Sequence, residues 1–357
     1  MKQILKVKLI TDKINYKVLL DTMNFFNKIC NDISKIAFEN KEFNVFKLHH
    51  LVYKNIRFLY PNFSSQLVIR AIKVVSDSYK SKNEYSQPNL FRKLASVVFD
   101  NRVIKFYGDD IVNIWTLNGR LKLPINVFNK ELFYYRKGEI DLVFNEGSFY
   151  LLCTLEIPIG KKYKPKGIVG VDLGVKKIAV TSLGDTFSGE QVEKKRKQYS
   201  SHRQRLQKRG TRSAKRRIKK VGSKESRFRK DTNHVISKFL VMKAKALGYS
   251  IALENLKGIN KRVTVRQVNR NERMSWSFAQ LRNYITYKAE LYGVPLVIVP
   301  TPYTSQTCNK CRHCEKGNRK SQEVFLCKLC GHTENADFNA SKNIAYLGEQ
   351  SISLLLT

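Results

Sequence analysis

Residues Gly167 to Ser182 read GIVGVDLGVKKIAVTS. They predict two strands joined by a tight turn. Ile168, Val169 and Val171 are β-branched, and an apolar run resumes at Ile178, Ala179 and Val180. Asp172 sits inside the first strand, where aspartate is disfavoured. Alone, it reads equally well as a strand-end turn residue with Gly174. Two further acids recur in similar frames. Glu254 follows the strand-like run Tyr249 to Leu253, and Asp337 opens a predicted helix just after a cysteine cluster. Three carboxylates far apart in sequence, each beside an apolar element, can converge on one site for divalent metal.

Charge bounds the partner. The chain has 357 residues and a formal net charge of +37, which calls for a polyanion. Composition leaves both nucleic acid and an anionic membrane surface open. No run of about 18 uncharged apolar residues is present, so no spanning helix is expected. The first residues, Met1 to Lys8, lack the apolar core and small-residue cleavage site of a secretory signal. Five of the seven cysteines fall between Cys308 and Cys330, a metal-ligand pattern in a reducing compartment. The expectation is a cytoplasmic, nucleoid-associated protein.

Gln3 to Ile10 alternates as a strand does. From Tyr16 to Asn40 the period turns helical, followed by helical blocks over Val45 to Leu59 and Leu67 to Tyr79, the latter with Ser64 as N-cap. Strand candidates then crowd together: Val103 to Phe106, Ile111 to Leu117, Gly119 to Ile125, Ile140 to Phe144 and Ser148 to Ile157. Asn118-Gly119 and Asn145-Glu146-Gly147 are the hairpin turns between them. These strands predict a small antiparallel barrel, which Gln3 to Ile10 can join, leaving the helices between as an insertion.

Lys194 to Lys230 holds eighteen Lys or Arg against the single acid Glu225. A solvated charge run is one reading. The other is a helical hairpin along a phosphate backbone, with Gly210 and Gly222 as breaks and Tyr199, Leu206, Ile218 and Phe228 as sparse contacts. Within it, Lys215, Arg216, Arg217, Lys219 and Lys220 are the candidate nucleic-acid contacts. A separate helix is expected over His234 to Leu247. Then come a strand ending at Glu254, a helix over Ser277 to Tyr292, and an all-apolar strand over Pro295 to Val299 that is expected to be central. This order matches an RNase H-like α/β fold, in which acids on the first strand, a later strand and the last helix meet beside the sheet.

Cys308-x-x-Cys311 and Cys327-x-x-Cys330 stand fifteen residues apart, the spacing of a zinc ribbon. Four thiolates on one Zn²⁺ leave no open position, so the ion is structural. His313 and His332 are possible substitute ligands and Cys314 is an extra thiol. Cys30 and Cys153 sit in apolar frames and read as core.

Taken together, these segments resemble TnpB, the RNA-guided nuclease family of insertion sequences related to type V CRISPR effectors. The resemblance rests on GVDLGVKKIAVTS around Asp172, ALENLKGI around Glu254, SWSFAQLRNYITYKAELYGVP from Ser275, and TPYTSQTCNKC through CKLCGHTENADFNASKNIA over Thr301 to Ala345. It covers most of the C-terminal half. The N-terminal half shares only a layout. Cys314 departs from the family pattern and is left out of the ligand set.

The resemblance implies a multidomain α+β protein. A wedge-type β-barrel (1–10 and 88–160) is interrupted by a helical recognition insert (11–87). A RuvC-like nuclease domain (167–302 and 334–357) carries the basic hairpin 194–230 and an inserted zinc ribbon (303–333). Asp172, Glu254 and Asp337 would be catalytic and hold two Mg²⁺ or Mn²⁺ ions, with Asp172 bridging both. Cys308, Cys311, Cys327 and Cys330 would hold one Zn²⁺. The implied partners are a guide RNA made from the transposon end and double-stranded target DNA, with no membrane role and no indication of oligomeric state. Two other classes stay open: a non-cleaving transposition accessory or repressor, and an unguided structure-specific nuclease.

Overall fold

The first helix begins where Asp12 caps it, accepting the Asn15 backbone N–H at 2.7 Å. In the computed structural model, which describes residues 1–80, 85–174, 176–255, 278–300, 302–321 and 323–356, the chain divides into two units, Met1–Pro158 and Ile159–Thr357. No helix among the described residues is long and apolar enough to cross a membrane.

The first unit opens with strand β1 (Lys2–Leu9) and three helices, α1 (Lys13–Glu39), α2 (Val45–Leu59) and α3 (Ser65–Ser78). Six strands follow: β2 (Val97–Phe99), β3 (Ile104–Tyr107), β4 (Ile111–Thr116), β5 (Gly119–Asn126), β6 (Arg136–Asn145) and β7 (Ser148–Glu156). A one-turn helix, α4 (Lys130–Phe133), separates β5 from β6. The strands form one antiparallel, nearly closed barrel-like sheet in the order β2-β6-β7-β1-β5-β4-β3. So β1 does join the later strands, pairing with β7 and β5.

Two local expectations need correction. Ser64 occupies the cap position of α3, but its side chain makes no capping bond. The β4–β5 loop is Leu117-Asn118, because Gly119 already pairs with Thr116. The turn expected at Asn145-Glu146-Gly147 is borne out, with Glu146 and Gly147 left-handed at φ 50° and 79° between the paired Asn145 and Ser148. β2 has three residues among polar neighbours, too short for alternation to mark it.

The second unit begins with β8 (Gly167–Asp172), β9 (Lys177–Thr181) and β10 (Thr186–Ser188). Helices α5 (Glu190–Arg209) and α6 (Arg212–Leu247) lead to β11 (Tyr249–Glu254), α7 (Phe278–Tyr292) and β12 (Leu296–Val299). A two-stranded ribbon, β13 (Val324–Leu326) and β14 (Thr333–Asn335), precedes α8 (Ala336–Leu356). The five-stranded sheet runs β10-β9-β8-β11-β12, with β8, β11 and β12 parallel. The expected strand order is borne out, but β12 lies at the sheet edge rather than at its centre. Its apolar residues serve a different contact: Val297 and Val299 pack beneath α8 with Ile168, Ala252 and Ile344. The N-terminal end expected for α7, at Ser277, lies outside the described residues.

Alternation along β8 and β11 builds three layers. Val169, Val171, Ile251 and Leu253 face α6 and α7, packing with Ile236, Leu240, Leu281 and Ile285. Ile168 and Ala252 face the opposite way, toward α8. Gly170 permits the closest approach: a Cβ there would stand 2.0 Å from the Ser341 carbonyl oxygen and 2.4 Å from the Ala345 nitrogen of α8.

The basic segment is a packed hairpin. Gly210 ends α5 in the left-handed region at φ 62°, and Thr211 caps α6 through the Ala214 N–H. Leu206, Ala214 and Val221 form a small core with Tyr199 and Ile218. Glu225 is buried and pairs with Arg203 across the two helices. Gly222 is not a break, and no separate helix starts at His234, because α6 runs unbroken for 36 residues. One interior glycine costs about 1 kcal/mol, which the packing around Val221 and Glu225 offsets.

Candidate metal centres

Period-two alternation decides where the first two acids stand. Asp172 ends β8 and shares the face of Ile168 and Gly170. Glu254 ends β11 and shares the face of Ala252. In the parallel register Val171 pairs with Leu253, so the two carboxylates follow at the same level of adjacent strands. Asp337, buried, lies in the first turn of α8, the helix pressed against that face. Its own N–H donates to Asn335 Oδ1 at 3.2 Å.

The electrostatics show the convergence. Burial pushes the Asp172 carboxyl up to about 8, and the charges of Glu254 and Asp337 push the same way, with Arg319 opposing. Burial also raises Glu254, against the hydroxyl of Thr304, which donates to Glu254 Oε1. Arg319 Nη2 donates to Asp337 Oδ1 at 3.1 Å. Arg319 is the residue that sequence reasoning missed. Among 66 Lys and Arg, nothing in its local sequence distinguishes it.

The thiols converge more tightly. Sγ of Cys308 lies 3.7 Å from that of Cys330, and Sγ of Cys311 3.5 Å from that of Cys327. All four lie within 4.8 Å of one another, the one such group of His, Cys, Asp or Glu ligand atoms among the described residues. The carboxylates are spaced more widely.

Each knuckle is the same turn. Arg312 N–H returns to Cys308 O at 3.1 Å and Gly331 N–H to Cys327 O at 3.0 Å, with φ of 64° at Arg312 and 67° at Gly331. Glycine suits that conformation; an arginine there needs compensation. Arg312 has it, donating to Asn343 Oδ1 at 3.0 Å and stacking 3.6 Å from the Tyr346 ring centroid, both on α8. Four sulfur donors in a closed cluster fit a tetrahedral zinc ion. Cys314, His313 and His332 are outside the cluster. Cys30 and Cys153 are buried, as expected, and burial raises both thiols.

Lys215, Arg216, Arg217, Lys219 and Lys220 are all exposed on α6. They surround the helix rather than lining one face, since only Ala214, Ile218 and Val221 turn inward in that stretch.

Comparison with known proteins agrees with this architecture. The OrfB_IS605 family model, described as a probable transposase, matches residues 152–259, and the Cas12f1-like TNB domain model matches 278–344. The chain is thus similar to OrfB-type transposon proteins over one stretch and to Cas12f1-like proteins over the next. A CRISPR-associated endodeoxyribonuclease Cas12f1 of Sulfoacidibacillus thermotolerans is 32% identical over 195 residues, covering 50% of this chain and 45% of the relative. TnpB-like protein MJ0751 of Methanocaldococcus jannaschii is 26% identical over 250 residues, covering 68% and 84%. The match to this Cas12f1 relative spans about half of its length. The fold extends further: Cas12f1, in a Cas12f1-sgRNA-target DNA complex, superposes with a TM-score of 0.64 at 17% identity, covering 94% of this chain and 83% of that one. The TNB match takes in α7, β12, both knuckles, Arg319 and Asp337. Asp172 and Glu254 fall within the OrfB_IS605 match.

Proposed function

We propose that this chain is an RNA-guided DNA endonuclease of a transposable element, cutting DNA beside a short motif by a RuvC-type reaction. The observation that carries the proposal is the meeting of Asp172, Glu254 and Asp337 from two strand ends and a helix start. The endodeoxyribonuclease relative, and the solved neighbour's complex with sgRNA and target DNA, support it. The charge of +37 fits a guide RNA and heteroduplex as the phosphate surface to be neutralised.

Two divalent ions, Mg²⁺ or Mn²⁺, would supply Lewis-acid charge on both sides of the scissile phosphodiester when bound. Asp172, between the other two acids, would hold both ions, and Glu254 and Asp337 one each. Asp172 must give up its proton to do so, because burial favours its neutral form. Thr304 orients Glu254 by its hydrogen bond, and Arg319 offsets the negative charge at Asp337. Zn²⁺ on the four cysteines would be structural.

On this reading the unit-one sheet (1–10, 88–160) is the wedge barrel and 11–87 the recognition insert. Residues 167–302 and 334–357 form the nuclease domain, with 303–333 the ribbon. The protein would work in the cytoplasm, at the nucleoid.

The test is plasmid cleavage by the protein with its copurified RNA. Asp172→Ala, Glu254→Ala and Asp337→Ala should each abolish cutting while RNA binding stays within a small factor. A single one of them cutting near the wild-type rate in Mg²⁺ defeats the triad.

A further inference from the structure

The helix that carries Asp337 in its first turn also holds the loop that reaches Glu254. Asn339 and Asn343, one turn apart on α8, are 0% and 3% exposed. Both amides bond the loop of the first knuckle. Asn339 Nδ2 donates to Thr307 O at 2.8 Å, and its Oδ1 accepts the backbone N–H and the Nδ2 of Asn309 at 3.0 and 2.9 Å. Asn343 Nδ2 donates to Thr307 O at 2.6 Å and to Thr304 O at 2.9 Å, while its Oδ1 accepts from Arg312.

Thr304 sets the two asparagines apart. Its carbonyl is held by Asn343, and its hydroxyl donates to Glu254 Oε1. Tyr303, just before it, stands in the left-handed region at φ 66°, a costly conformation for a residue with a Cβ. Such a bend keeps its shape where the surroundings hold it. Within the loop, the N–H groups of Gln306 and Thr307 each donate to Tyr303 O at 2.9 Å. The bond to the Thr304 carbonyl comes from α8.

We infer that Asn343 is a positioning residue for the divalent-metal site: through Thr304 it fixes Glu254 relative to Asp337. Asp337 stands six residues earlier on the same helix, about 9 Å along its axis. The inference rests on the nuclease reading above and adds a residue that touches neither metal nor substrate. One helix then sets two of the three acids, Asp337 directly and Glu254 through a chain of two hydrogen bonds. Partners of this kind orient a carboxylate ligand before the ion arrives. Asn339 grips the knuckle alone.

The test is a double-variant cycle on Mn²⁺ binding, read by electron paramagnetic resonance on the full chain with its copurified RNA. The signal counted is the part that Asp172→Ala removes, which discards ions held by the RNA. Thr304→Val has nearly the same shape without the hydroxyl. It should weaken that binding about tenfold, and Thr304→Ser should keep it. Asn343→Ala should weaken it to a similar extent yet add nothing to Thr304→Val, because no hydroxyl is then left to position. Asn339→Ala should lower the melting temperature but move Mn²⁺ affinity less than about twofold, since its bonds stop at Thr307 and Asn309.

Unchanged Mn²⁺ affinity in Asn343→Ala, losses that simply add in the double variant, or an equal loss in Asn339→Ala each overturn the inference. Should Asn343→Ala not fold, Asn343→Asp takes its place: it keeps the acceptor for Arg312 and loses both donors. Its added charge is present in both arms of the cycle and cancels there. If plasmid cleavage fails while the cycle holds, the nuclease reading falls and the role of Asn343 stands.

Discussion

Arg319 Nη2 lies 3.1 Å from Asp337 Oδ1, so the loop between the two cysteine knuckles supplies a cation to a carboxylate of the acid cluster. The same arginine draws the raised Asp172 carboxyl back down. On the proposed reading it would compete with a divalent ion for Asp337. Arg319→Ala should therefore lower the Mg²⁺ concentration for half-maximal cleavage a few-fold, while slowing the single-turnover rate at saturating metal. A Mg²⁺ titration reads both, and an unchanged midpoint with an unchanged rate would leave Arg319 as a mere tether.

The thiol cluster should behave as a folding element. Metal analysis of purified protein should give about one zinc per chain, retained through mild chelation that stops cleavage. Cys308→Ser should lose zinc and solubility before it loses chemistry, because Cys308 is buried with Phe325, Cys327 and Ala336. Active protein without zinc would refute this.

The exposed residues Lys215, Arg216, Arg217, Lys219 and Lys220 surround α6, so only some can reach one phosphate backbone. Replacing all five with Gln should weaken nucleic-acid binding and reduce its salt slope by about 0.9 per lost contact on a duplex. Thermal stability should hold or rise, since the pairing that joins the helices is Arg203 with Glu225. Unchanged affinity and slope would make the run a solvated surface.

Lys288 offers a pH test away from the acids. It is buried between α6 and α7, donating to His234 O and Ser237 Oγ at 2.7 Å each. Burial, then the charge of Lys238, pulls its ammonium from 10.5 down to about 8. Between those values the unfolded chain holds a proton that the folded chain has released, so stability rises with pH across that window and is lost as pH falls through about 8. Melting temperature compared with Lys288→Met should show this rise in the wild type only.

The candidate sites were legible in sequence where they were local. Asp172 and Glu254 betray themselves by ending β-branched or apolar runs, and the CxxC pairs by spacing alone. What depended on distant packing was not. The apolar run of β12 signals burial but not which layer supplies it, and α8 rather than a neighbouring strand does so. Gly222 reads as a break because the small core of Leu206, Ala214 and Val221 forms only when α5 folds back. Asn118-Gly119 reads as the β4–β5 loop because Asn-Gly is a strong turn former, yet strand register moves that loop to Leu117-Asn118, whereas the turn at Asn145-Glu146-Gly147 stands where expected.

The unbroken length of α6 has a mechanical consequence. Thirty-six residues make a rod of about 54 Å, gripped at one end by Ile236, Leu240, Val241 and Ala244 in the sheet's core. The chain then reverses at Gly248, at φ 68°, straight into β11. Such a rod is a lever with a short fixed arm. Pivoted at the gripped end, a tilt of about 5° would carry the basic tip roughly 5 Å, close to one helical pitch. Conversely, a load on the tip is delivered as torque at the root of the strand that ends in Glu254.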